Sequence, residues 1–438
     1  MKSVLVIGAG MVARPLVHYL LDHDIHVTVA DIALPQAQSI IEGYKNGVAV
    51  TLDVSDRIKL KKMIAEVDLA VSLLPAEYHV KVAEVCIETG TNMVTASYVS
   101  DEMRSLDASA KSAGVVLLNE IGVDPGLDHM SAMRVIDAVR AENGEITSFK
   151  SFCGGLPSPD DNDNPWGYKI SWSPRSMLLA GKNAAHYRKD GEQIYVPAES
   201  LFSHFWNLDV PPIGTLEAYP NRDSLTYKDI YGLEGIPTMF RCTLRYDGWC
   251  RTLETAAKLG ILNEEVVDWT GKSLSDLTCS LLPGDVNKDD LRIQLAEFLS
   301  IPKTSDIINR YEWLGLLSDE AVPISKGSIL DVMSELMSKR MAYSENEKDM
   351  IVLVHQFEAR YPDNRIREIT STLIDYGIPG GDSSMSRTVG LPAGVGARLV
   401  LDGKFKLPGV HIPVLPELYN PILDELAELG IECKEKWD

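Results

Sequence analysis

The chain has 438 residues, 45% apolar and 24% charged, which is the balance of a globular protein of about three units and excludes disordered and fibrous classes. Its 63 acidic against 42 basic residues give a formal net charge of −21, spread along the chain rather than gathered in a tail, which argues against nucleic acid or anionic lipid as partners. No apolar run approaches the ~18 residues of a membrane helix. The six cysteines (86, 153, 242, 250, 279 and 433) show neither CxxC nor paired spacing, so they read as reduced thiols without a structural metal.

Lys2 before a short apolar stretch mimics a signal peptide, but a strand running into a phosphate-binding turn accounts for it better. Through residue 122, strand-like runs at 3–7, 26–30, 48–52, 69–74, 92–96 and 115–118 recur roughly every 23 residues. Helix-like stretches near 11–22, 34–43, 56–66, 77–89 and 101–113 lie between them, with starts marked by Ser55-Asp56 and Ser100-Asp101. Apolar, β-branched strands joined by single amphipathic helices predict right-handed crossovers and a doubly wound parallel sheet of the Rossmann kind. Beyond residue 123 the rhythm breaks. Residues 151–175 read as loop-rich, and strands are expected near 239–246, 349–358 and 368–374. Helices are expected at 253–262, 289–299, 304–316 and 326–338, giving a mixed α/β substrate domain interrupted by a helical insert. Further helices are expected at 385–401, where Gly390, Gly394 and Gly396 lower the propensity, and at 421–429.

Gly8-Ala9-Gly10-Met11-Val12-Ala13 follows the first strand and opens the first helix as G-x-G-x-x-A. Gly8 permits the tight turn, Gly10 lets the backbone approach a pyrophosphate, and small Ala13 packs helix on strand, with the helix N-terminus facing the anion. Asp31 closes the second strand 18 residues past Ala13, where a carboxylate accepts from ribose hydroxyls and repels a 2′-phosphate. Ile32-Ala33-Leu34-Pro35 follow and the next base is Lys45, so NAD is the expected cofactor and NADP the alternative. Asp53, ending the third strand, serves either the adenine side or a helix cap.

Ligands of such sheets bind beyond the carboxyl ends of the strands. Three ends stand out: Leu73-Leu74-Pro75, Ser97-Tyr98 and Gly122-Val123-Asp124-Pro125-Gly126. Asp124 either anchors a cationic substrate nitrogen, accepts a proton, or belongs to a good turn sequence. Tyr98 is a hydrogen-bond donor or an interfacial aromatic. Asp128-His129 reads as a helix cap followed by a packed histidine. Arg222, Arg241 and Arg245 cluster around the first strand expected in the second domain, which in so acidic a chain points to a substrate with several carboxylates.

Cys153-Gly154-Gly155-Leu156-Pro157, with Asn164-Pro165, Tyr168-Lys169 and Ser171-Trp172-Ser173-Pro174, resembles the saccharopine dehydrogenase family, L-glutamate-forming. So do Val94–Tyr98, Asn119–His129, Tyr219–Ser224, Gly315–Ser318 and Thr372–Gly377, and the likeness runs end to end. The resemblance implies oxidation of saccharopine by a nicotinamide cofactor to glutamate and 2-aminoadipate 6-semialdehyde, with hydride read as leaving the α-carbon of the glutamate portion. It implies substrate contacts at Ser97, Tyr98, Asp124, Arg222, Thr243, Leu244 and Arg245. Cofactor contacts are implied at Gly8, Met11, Val12, Asp31, Asp53, Leu74, Ala96, Ser97, Val123 and Ser173, beside Gly10 and Ala13 of the turn. Asp124, Tyr98 and Cys153 are the candidate catalytic residues, with Cys153 equally readable as a small buried side chain.

Fungal members use NADP and carry a basic residue after the second strand; Asp31-Ile32 here looks more like an NAD-using branch. The implied organisation is a Rossmann domain of residues 1–128 plus 385–438, an α/β substrate domain of 129–250 plus 341–384, and a helical insert at 251–340. Because the chain opens directly at the Rossmann strand, the resemblance implies a stand-alone cytoplasmic enzyme. Its oligomeric state is open, with a homodimer as the candidate. The competing readings are a relative acting on another imine-linked amino acid, such as a carboxynorspermidine dehydrogenase, or a catalytically silent NAD(H)-binding sensor.

Overall fold

A computed structural model describes residues 2–438. The chain divides into two compact units, one of Met1–Ile146, Ile230–Gly232 and Leu353–Asp438, the other of Thr147–Asp229 and Leu233–Val352.

The first unit opens with β1 (Ser3–Ile7), α1 (Ala13–Asp22), β2 (His26–Asp31), α2 (Leu34–Ile40), β3 (Gly47–Thr51) and α3 (Arg57–Ala65). It continues through β4 (Leu69–Ser72), α4 (Ala76–Thr89), β5 (Asn92–Val94), α5 (Asp101–Ser105), α6 (Asp107–Ala113), β6 (Val116–Leu118) and α7 (Leu127–Ala141). Val4 to Ile7 are at most 1% exposed, and Leu69 to Val71 are fully buried, because helices cover both faces of the central strands. Asp56 and Ser100 cap α3 and α5 through their side chains, as their positions predicted. The stretch expected as one helix at 101–113 is two, α5 and α6, parted at Leu106.

The second unit begins within β7 (Glu145–Pro157) and runs through α8 (Pro174–Leu179), β8 (Ala185–Lys189), β9 (Glu192–Val196), β10 (Trp206–Val210), β11 (Gly214–Pro220) and β12 (Thr238–Arg245). The helical stretch follows: α9 (Trp249–Leu259), β13 (Val267–Asp268), α10 (Leu274–Leu281), α11 (Leu291–Leu299), α12 (Asp306–Trp313), β14 (Lys326–Gly327) and α13 (Ile329–Arg340). The expectation of a loop at 151–157 is corrected: these residues complete the thirteen-residue β7, where Gly154, Gly155 and Pro157 sit within a strand paired in parallel with β12. The ladder β10-β11-β12-β7 is antiparallel except for that last pair, so this sheet is mixed.

The last elements are β15 (Asp349–Arg360), β16 (Ile366–Tyr376), α14 (Ser384–Leu401), β17 (Gly409–His411), α15 (Pro416–Glu428) and β18 (Lys434–Trp437), nearly all in the first unit. There β17 extends the Rossmann sheet beside β6, giving seven parallel strands in the order β17-β6-β5-β4-β1-β2-β3. The glycines of α14 have a packing reason. A Cβ on Gly390 would meet the Val12 carbonyl at 2.8 Å and one on Gly394 the Tyr19 ring at 2.9 Å, so the helix lies directly against α1. Their cost in helix propensity, about 1 kcal/mol each, is the condition for that close approach.

Candidate active site

In the first unit the dinucleotide turn is shaped from below. Gly8 has φ +107°, and a Cβ there would meet the Leu73 carbonyl of the neighbouring strand end at 2.9 Å. A Cβ on Gly10 meets no protein atom within 4 Å, so protein packing does not demand glycine there and the space beside its backbone is open to a ligand. Helix α1 has no side-chain cap and no acidic residue in its first turn, which leaves its N–H groups for an anion, with Met11 exposed and Ala13 buried. Asp31 is tied to the same turn. One of its oxygens accepts from the Ala9 N–H at 2.7 Å and the other from the Ala33 N–H at 2.8 Å, which leaves further lone pairs for ribose hydroxyls. These residues fit a nicotinamide dinucleotide. Asp53 is exposed and closes a turn on Ser55, whose bonds hold its carboxyl below the usual range.

The carboxyl ends of β4, β5 and β6 gather polar groups that are otherwise rare in so apolar a sheet: Ser72, Thr95, Asn119 and Glu120 are all at most 3% exposed. Leu74, Ala96, Ser97 and Tyr98 are half-buried nearby in the chain, and Val123 is buried. Tyr98 donates its hydroxyl to Asp124 at 3.1 Å. Glu120, with φ +54°, donates its N–H to the Ser97 carbonyl and accepts the Val99 N–H at 2.9 Å, so it braces the backbone around Ser97-Tyr98. Behind it, fully buried His129 lies 2.8 Å from Glu120, a packed ring as expected. The expected cap is corrected: the N-cap of α7 is Gly126, without a side-chain cap bond, and Asp128 inside the first turn accepts the Gly126 N–H. Sequence reasoning passed over Glu120 and, on α4, His79, whose ring joins Ser72 and Ser97.

The loop that carries Asp124 is closed on itself by Gly122 N–H to Pro125 carbonyl and Leu127 N–H to Gly122 carbonyl bonds, both 2.9 Å. Gly126 has φ +145°, and a Cβ on it would sit 2.1 Å from the Gly122 carbonyl oxygen. Gly126→Ala is therefore expected to lose about 3 kcal/mol or more of stability in denaturant unfolding and to cut turnover with it. Unchanged stability would show that this turn is not fixed as described.

In the second unit, period-2 alternation puts Arg241, Thr243 and Arg245 on one face of β12. The ladders place Ser151 and Cys153 of β7 beside Arg241 and Thr243, and Glu217 and Tyr219 of β11 beside Arg245 and Thr243. Cys153 is 8% exposed and Leu244, on the opposite face, is fully buried. Arg245 is only 4% exposed, yet no carboxylate pairs with it among the described residues. Its Nη1 donates to the Leu244 carbonyl, and its Nε has no partner. Glu217, across the ladder, spends its oxygens on the N–H groups of Gly248 and Cys250 at 2.8 and 2.7 Å.

Two rings support the guanidinium instead, with their centroids 5.0 Å (Tyr168) and 5.4 Å (Trp249) from it. Trp172 donates to the Tyr168 hydroxyl at 3.0 Å and Asn164 to its carbonyl at 2.9 Å, so the 164–172 segment builds this wall, and burial pushes the Tyr168 phenol up. A buried cation with an unpartnered N–H is costly unless an anion meets it, and a carboxylate matches its fork. Arg222 is exposed and takes a left-handed conformation, φ +54°, while Arg241 is buried over Tyr227 at 4.9 Å. Ser173 is the exposed N-cap of α8.

Comparison with known proteins gives the family. Residues 4–118 match the saccharopine dehydrogenase NADP binding domain, and 122–431 the saccharopine dehydrogenase C-terminal domain. Saccharopine dehydrogenase [NADP(+), L-glutamate-forming] of Saccharomyces cerevisiae is 39% identical over 99% of each chain. Alpha-aminoadipic semialdehyde synthase of Arabidopsis thaliana is 38% identical over 99% of this chain, which spans 45% of that protein. The structure of the apo Saccharomyces cerevisiae saccharopine dehydrogenase (L-Glu forming) superposes with a TM-score of 0.90, covers 100% of both chains and is 38% identical. With its Rossmann unit, its mixed second sheet and this likeness along its whole length, the chain belongs to the family of L-glutamate-forming saccharopine dehydrogenases.

Proposed function

We propose that this protein oxidises L-saccharopine, with water, to L-glutamate and 2-aminoadipate 6-semialdehyde, and that NAD is its preferred acceptor. The observation that carries the reading is Arg245, a buried guanidinium held on two rings with an unpartnered N–H, in a chain alike from end to end to enzymes named for saccharopine. The nicotinamide ring supplies a two-electron acceptor. The products decide which carbon is oxidised. Glutamate leaves as the amine, so hydride departs from C6 of the aminoadipate portion; loss from the glutamate α-carbon, as first read, would release 2-oxoglutarate and lysine. The bridging nitrogen must shed a proton before that hydride can leave. Asp124, oriented by the Tyr98 hydroxyl, is the group we assign to accept it. Water then adds to C6 of the substrate imine and gives one proton to solvent. Asp124 returns its proton to nitrogen, and as the C–N bond breaks the C6 hydroxyl proton passes to the departing amine, leaving the aldehyde. Arg245, Thr243 and Arg222 are assigned to substrate carboxylates, and Cys153 to packing beside Thr243.

The preference for NAD rests on Asp31, whose carboxylate is pinned to the dinucleotide turn, and on the exposed Ile32 that follows in place of a base. The Saccharomyces cerevisiae and Schizosaccharomyces pombe relatives are named for NADP(+), so the choice is open to direct test. Purified protein with saccharopine should reduce NAD at least about tenfold more efficiently than NADP, the factor expected from ~1.4 kcal/mol of repulsion at a 2′-phosphate. Activity with NADP alone would keep the enzyme and overturn the cofactor assignment. Silence with both would overturn the reaction.

A further inference from the structure

We infer that His79 is a positioning residue that fixes the hydroxyl of Ser97 for saccharopine turnover, bridging it to Ser72 through a neutral imidazole. The inference rests on the reaction proposed above and adds a residue to it. His79 lies in the first turn of α4, 4% exposed, below the carboxyl ends of β4 and β5. Its Nε2 is 2.6 Å from Ser97 Oγ and its Nδ1 is 2.8 Å from Ser72 Oγ, with Thr95 Oγ1 at 3.5 Å. Burial pushes its pKa down to about 4, so the ring is neutral at working pH and has one donor and one acceptor nitrogen.

That couples the hydroxyls on the two sides of the ring, since one nitrogen donates and the other accepts. If Ser72 donates to Nδ1, Nε2–H donates to Ser97, whose proton then points outward. In the opposite sense Ser97 donates inward and offers a lone pair. Either way Ser97 presents one defined hydrogen-bonding function rather than a free rotor. The backbone of Ser97 is held separately, since its carbonyl accepts from the Glu120 N–H at 3.1 Å. Loss of the ring would therefore release the hydroxyl while the loop stays in place. The ring reaches Ser97 only from the buried side, so it acts through the serine and not on substrate.

Two variants separate this from packing. His79→Asn places an amide near Nδ1, keeping Ser72 and losing Ser97; His79→Gln reaches the position of Nε2 and keeps Ser97. We expect His79→Asn to lower kcat by about tenfold or more, with KM for saccharopine and Kd for NADH changed less than about threefold, and His79→Gln to restore most of the loss. On a Ser97→Ala background His79→Asn should cost nothing further. Equal losses in both variants with a matching fall in Tm, or an undiminished cost without Ser97, would overturn the proposal. Wild-type protein in the same assay keeps the two readings apart: its silence on saccharopine would reject the reaction, whereas active wild type with indifferent variants would reject only His79.

Discussion

Arg245→Met should raise KM for saccharopine by about 30- to 1,000-fold, the equivalent of the ~2–4 kcal/mol typical of a buried charge-assisted clamp, while leaving Tm within a few degrees of wild type. The two halves of this expectation have one cause. The guanidinium is buried at 4% exposure and no carboxylate among the described residues pairs with it, so the folded protein carries much of the desolvation of a cation. Methionine would lose the two ring contacts, at ~1 kcal/mol each, and relieve that desolvation. Arg245→Lys should recover only part of the affinity, because an ammonium keeps the charge and loses both the reach of the guanidinium over Tyr168 and Trp249 and its fork for a carboxylate. Steady-state kinetics with calorimetry decides the matter. A KM near wild type would remove Arg245 from the substrate site. A Tm loss of ten degrees or more would mark it as structural.

The Rossmann half was legible because several local rules agree there. The strands β1 and β4 are buried on both faces and read as unbroken apolar runs, and Asp56 and Ser100 mark helix starts by chemistry that needs no tertiary context. Where pairing alone makes an element, the sequence was silent. Three-residue β17 has no period to detect, and it exists because β6, far away in the chain, offers an edge. Gly154, Gly155 and Pro157 predict a loop because glycine and proline usually break strands, yet they continue β7 beyond its ladder with β12, which ends at Cys153.

The candidate site divides in the same way. Gly8, Asp31, Asp124 and the arginines stand out by residue type at strand ends. The ring of His79, the brace of Glu120 and the unpartnered Nε of Arg245 are relations between distant positions, which no spacing encodes. Sequence could name the arginines; only burial distinguishes Arg245, at 4% exposed, from exposed Arg222.

Asp124→Asn is expected to lower kcat by about 100-fold or more, within the 10²–10⁴ range of a positioned acid or base, with a much smaller effect on NADH binding. Asparagine keeps an oxygen for the Tyr98 hydroxyl, now 3.1 Å from the carboxylate, and leaves the closed Gly122–Gly126 turn undisturbed, so the lost charge and proton affinity are tested with the geometry held. Tyr98→Phe should cost less, about tenfold, because it removes the group that aims the carboxylate and not the carboxylate itself. If the pair acts as one, Tyr98→Phe will add little to Asp124→Asn, and the double variant will fall well short of the product of the two. Multiplicative effects would mean that Tyr98 meets substrate independently of Asp124. Full turnover in Asp124→Asn would assign the proton of the bridging nitrogen to another group, and the chemistry proposed for this loop would be wrong.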